Sequence, residues 1–82
     1  MDVRQIRQRV IEAIEERELG STTLIGETVL VRGGYYAGRR FVFEEVEAVW
    51  LIDSDRICLF ANNGEPLPPI DLNADASQRP AA

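Results

Sequence analysis

At 82 residues the chain is one small domain, which leaves no room for a catalytic domain beside a separate partner domain. Nine basic residues, all of them arginine, stand against 14 acidic ones for a net charge of −5, and an apolar fraction of 45% is too high for a disordered chain. A domain of this size buries roughly 60% of its unfolded surface, a marginal core usually completed by disulfides, metal or oligomerisation. One cysteine and no histidine remove the first two, exclude catalysis by histidine, and leave oligomerisation. No apolar run approaches the roughly 20 residues of a membrane span and no basic-then-apolar leader opens the chain, so the expectation is a cytoplasmic protein without membrane contact, metal or cofactor.

Asp2 to Glu18 places Val3, Ile6, Val10, Ile11, Ala13 and Ile14 on one face and Arg4, Gln5, Gln8, Arg9, Glu12, Glu15 and Glu16 opposite, the pattern of an amphipathic helix. Asp2 and Gln5 form a capping-box pair, Met1 and Ile6 a hydrophobic staple, and Gly20 the left-handed stop. The seam is too short for a coiled coil and predicts docking on a sheet.

After Ser21-Thr22-Thr23 the residues become β-branched and aromatic, predicting strands at 27–32, 36–44, 46–53, 56–62 and 67–72. Gly33-Gly34 turns the first hairpin, and Gly38 marks a bulge or sharp bend. The stretch from Glu44 to Leu51 also suits a short helix, but Val46, Val49, Trp50 and Ile52 favour strand. A two-residue turn at Ser54-Asp55 pairs Ile52 with Ile57, Trp50 with Leu59, Leu51 with Cys58 and Val49 with Phe60. Both faces of that hairpin are apolar and need two covers, one the domain's own and the other a further subunit. Giving Trp50, Ile52, Ile57 and Leu59 to the core leaves Val49, Leu51, Cys58 and Phe60 as an oligomer interface; the opposite assignment, with Trp50 at the interface, stays open. Pro66, Pro68 and Pro69 permit only an edge strand, and residues 73–82, small and polar, are expected to form a disordered tail behind a single domain over 1–72.

Leu30, Arg32-Gly33, Gly38, Phe43-Glu44, Val49 and Leu51, followed by Asn63-Gly64, Leu67 and Ile70, resemble the two motifs of the Sm-like family in their spacing. The resemblance implies a mainly β fold, an N-terminal helix followed by a small, strongly bent five-stranded antiparallel barrel of Sm-like or SH3-like form, with copies assembling into a ring. Sm-like proteins bind RNA through a rim asparagine, a stacking neighbour and an arginine, and the matching positions here hold Ala48, Glu47 and Asn63, which lack that chemistry. The prolines after Gly64 also weaken the strand that pairs subunits in such rings.

Arg32, Arg39 and Arg40 flank Tyr35 and Tyr36, a basic patch with interleaved aromatics suited to single-stranded RNA. Residues 2–40 carry seven arginines against six carboxylates, a weak electrostatic footprint. Gly33 to Gly38 lacks the helix start of a phosphate loop, Asp53-Ser54-Asp55 lacks a calcium loop's glycine and glutamate, and adjacent pairs such as Glu44-Glu45 point to opposite faces of a strand. Cys58 reads as an inert buried thiol. The expectation is a non-enzymatic, homo-oligomeric binding or assembly module in a bacterial type of cytoplasm, with single-stranded RNA binding as the alternative.

Overall fold

The structure, a computed structural model, describes residues 2–54 and 56–72. Helix α1 spans Val3–Glu16, and five strands follow: β1 Leu24–Arg32, β2 Tyr35–Phe43, β3 Val46–Leu51, β4 Arg56–Ala61 and β5 Pro66–Asp71. They form one antiparallel meander in the order β1-β2-β3-β4-β5. The domain is therefore mainly β, with its helix laid on one face of the sheet. No described helix is long and apolar enough to cross a membrane. Met1 of the expected staple, Asp55 of the expected turn and the tail at 73–82 lie outside the described residues.

The helix begins as its sequence requires. The Asp2 side chain accepts from the Gln5 backbone N–H at 3.0 Å, and the Gln5 side chain accepts from the Asp2 N–H at 2.8 Å. Its end differs from expectation, because Glu18, at φ 53°, is the first left-handed residue. Leu19 N–H donates to the Ile14 carbonyl at 2.9 Å and Glu18 N–H to that of Glu15 at 3.3 Å, the paired bonds of a Schellman stop, which sets half-buried Leu19 against the core. Gly20 also has positive φ, at 127°, but lies beyond those bonds, where any Cβ would overlap the Glu45 carboxylate.

Ile6, Val10, Ala13 and Ile14 of the helix pack on Phe41 and Phe43 of β2, Val46, Ala48 and Trp50 of β3, Ile57 and Leu59 of β4, and Ile70 of β5. This settles the open assignment: the helix covers the Trp50 face. The β3–β4 register is two residues from that of a tight turn, with Trp50 opposite Ile57, Ala48 opposite Leu59 and Val49 opposite Cys58. A two-residue slip preserves which face each side chain takes, so the core residues stay in the core. Ile52 does not follow them. The chain leaves β3 after Leu51, whose carbonyl accepts from Ser54 N–H at 2.9 Å, and Ile52, 52% exposed, donates its N–H to Ala37 at 2.8 Å.

The barrel expected from the Sm-like resemblance is not closed, since β1 and β5 are the two edges and do not pair. Bending is present: the β1–β2 ladder shifts between Leu30 and Val31, and at buried Gly38 a Cβ would overlap the Trp50 carbonyl oxygen, so β2 and β3 approach there as only glycine allows. Closure fails at β5. Pro66, Pro68 and Pro69 have no N–H to offer, and Arg17 at the helix end donates to the carbonyls of Pro68 and Pro69 at 2.5 and 3.3 Å.

The left-handed Glu18 carries a Cβ penalty that glycine avoids. Glu18→Gly is expected to stabilise the domain by about 1 kcal/mol, a melting temperature higher by roughly 5 °C in a thermal scan; a lower melting temperature would contradict the helix stop described here.

Candidate functional site

Strand pairing divides the sheet into an inner face under the helix and an outer face without cover among the described residues. Three rows cross the outer face: Thr28, Arg40, Val49 and Cys58; Gly26, Val42, Glu47, Phe60 and Pro66; and Leu30, Gly38 and Leu51. Val49, Leu51, Cys58 and Phe60, the four residues expected at an interface, are thus brought together on one side. Val49, Leu51 and Phe60 are half-buried, while Cys58 is exposed, contrary to the buried thiol expected. Leu30 and Val42, missed in the sequence, extend the same apolar surface, because only the β1–β2–β3 registers place them beside it.

One ion pair sits within these rows. Arg40 grips Glu47 with two bonds, Nε to Oε2 at 2.6 Å and a terminal nitrogen to Oε1 at 2.9 Å. Glu47 raises the Arg40 pKa above its ordinary value. The outer face therefore presents a guanidinium and a carboxylate side by side, surrounded by apolar side chains.

The aromatic and basic group expected to bind RNA is not assembled into one patch. Arg39 points to the inner face, where Glu27 pairs with it and also receives Arg7 from the helix, Nε to Oε1 at 3.4 Å. Tyr36 lies beside it, its ring centre 6.0 Å from the guanidinium carbon, and together Tyr36 and then Glu27 hold the Arg39 pKa above its ordinary value despite desolvation. Arg40 is on the outer face with Glu47. Arg32 and Tyr35 stand at the exposed tip of the β1–β2 hairpin, Tyr35 being 79% exposed. Five residues close in sequence, all within 32–40, are thus spread over two faces and a tip, and two of the three arginines already have carboxylate partners.

Among the described residues no group of three or more cysteine or carboxylate side chains comes together to hold a metal ion. A groove of about 140 Å³ between the helix and β5 is lined by Arg9, Glu12, Ala13, Glu16, Arg17 and Ile70, but Arg17 is committed there to the β5 carbonyls. The hinge carboxylates Glu44 and Glu45 form the β2–β3 turn and are both exposed. The chain matches no family model, no curated protein and no solved structure.

With Arg39 and Arg40 held in ion pairs, no salt-sensitive RNA binding is expected. Fluorescence anisotropy of a labelled uridine-rich or adenine-rich oligomer should stay flat on titration at low salt; a rise that falls away with added salt would restore the RNA patch.

Proposed function

We propose that the chain is a non-enzymatic binding and assembly module that associates with copies of itself through the outer face of its sheet. The supporting observation is the clustering of Leu30, Val42, Val49, Leu51, Cys58 and Phe60 on a face that the helix does not reach. Sheets stack face to face at about 10 Å when both inner surfaces are apolar, so a second sheet is a natural cover.

The polar content of the face favours a second copy of this chain. Arg40 and Glu47 neutralise each other on this surface, so a second copy of the same face can be laid on it without leaving either charge unpaired. Kinship with Sm-like domains in fold, though not in their ring, belongs to the same proposal and rests on the spacing of Gly33, Gly38 and Phe43-Glu44 and on the order helix then five strands. So does residence in a bacterial type of cytoplasm, where an exposed Cys58 thiol stays reduced. RNA binding is left out because Arg39 and Arg40 are already paired with Glu27 and Glu47.

Burying a Leu or Phe side chain is worth roughly 1.5–3 kcal/mol, and a carboxylate placed among such groups has no partner. Leu51→Asp and Phe60→Asp are each expected to weaken self-association at least about tenfold, or about 1.4 kcal/mol, with the circular dichroism of the folded domain retained because both side chains point away from the helix. Sedimentation velocity over a concentration series reads this directly. Wild-type protein that stays monomeric throughout, or two folded aspartate variants that assemble as the wild type does, would contradict the proposal.

A further inference from the structure

The edges of an open sheet each present a row of backbone donors and acceptors, and here the two edges are unequal. On β5, Pro66, Pro68 and Pro69 supply no N–H, and Arg17 occupies two carbonyls. Strand β1 is nine residues long, holds neither proline nor lysine, and exposes Val29 at 48% and Val31 at 64% beside half-buried Leu30. Its own bulge lies at Ile25, away from Val29 and Val31, and its inward carboxylate, Glu27, is already held by Arg7 and Arg39, so the segment from Thr28 to Val31 is the least protected stretch of either edge.

We infer that β1 pairs antiparallel with β1 of a second copy, joining two five-stranded sheets into one. The occupant follows from what the molecule itself can offer. An added strand must bring alternating N–H and C=O groups, which β5 lacks, so head-to-tail addition of β1 onto β5 is blocked, and with it the ring or open fibre that such addition builds. Pairing β1 with β1 remains, and it closes after two copies.

The register is set by the side chains. A two-fold axis relating such strands stands perpendicular to the sheet, so residues of the same face meet. With Val29 opposite itself, Val31 faces the second copy's Glu27, a carboxylate already shared by Arg7 and Arg39. With Leu30 opposite itself, Val29 meets the second copy's Val31 on the helix side, and Thr28 meets its Arg32 on the outer side. The second register sets β-branched groups against each other and leaves Glu27 to its arginines. Its axis is perpendicular to the in-plane axis of a face-to-face contact, so the two associations are independent and compatible.

Hydrogen exchange and sedimentation test this together. In the wild type, exchange of alternate amides over 28–32 should slow by about tenfold or more as protein concentration rises through the association range, while β5 amides do not change. Replacing both exposed valines, Val29→Lys with Val31→Lys, should halve the mass at a concentration where wild type and Ile25→Lys keep it, Ile25 being 62% exposed on the same strand but outside the paired core. Leu51→Asp separates the two contacts: it removes face-to-face stacking and should leave the β1 protection intact. Wild-type β1 amides that exchange equally fast at all concentrations, or a folded double-lysine variant of wild-type mass, would overturn the inference; should the lysine variant fail to fold, the wild-type exchange decides alone.

Discussion

A single short helix can cover only part of one face of five strands, and most of the structure follows from that constraint. Fourteen helical residues make a rod about 21 Å long and 10 Å across, whereas five strands about 4.8 Å apart span roughly 20 Å and the nine-residue strands run about 30 Å. The helix therefore sits over the middle of the sheet, and the core forms where Ile6, Val10 and Ile14 meet Phe41, Ala48, Ile57 and Leu59. The helix leaves uncovered the outer face, where Leu30, Val42, Val49, Leu51 and Phe60 are only half-buried, and the far end of the β1–β2 hairpin, where Val31 and Tyr35 are exposed. A domain this small has little stability to spare, and the association proposed above would bury them.

Arginine finishes the borders that the helix cannot cover. Arg17 closes the β5 edge by donating to two carbonyls, which a planar, five-donor group does better than a point charge. Arg7 and Arg39 converge on Glu27 and tie the helix to β1, and Arg40 clasps Glu47 across two outer rows. Each of these contacts removes a cation from the pool available to a polyanion. The same placement that stabilises the sheet thus engages these arginines within the domain, and leaves β1 as the edge without proline.

How far the sequence reveals this depends on whether a feature is local. The helix is legible because its period and the Asp2–Gln5 cap lie within two turns, whereas Glu18 in a left-handed conformation has no sequence signature and Gly20 looks the better stop. The β3–β4 faces are legible through parity alone, so a register wrong by two residues still assigns Val49, Leu51, Cys58 and Phe60 to one side and misplaces only Ile52 at the turn. Glycine spacing reports bending at Gly38 but not closure, which depends on whether β5 can pair with β1. Leu30 and Val42, and the β1 edge with Val29 and Val31, were hidden for a related reason: a residue joins a face or an edge only after distant strands have taken their places.

Cys58, the chain's single cysteine, is exposed in one copy and lies beside Val49 in the rows assigned to self-association, so its reaction rate with a thiol reagent measures coverage of that face without altering a residue. The rate constant for wild-type protein should fall at least about tenfold as concentration rises from monomeric to assembled, and return on dilution. A rate constant independent of protein concentration, in a sample shown to be assembled, would contradict the central claim that the outer face is where copies meet.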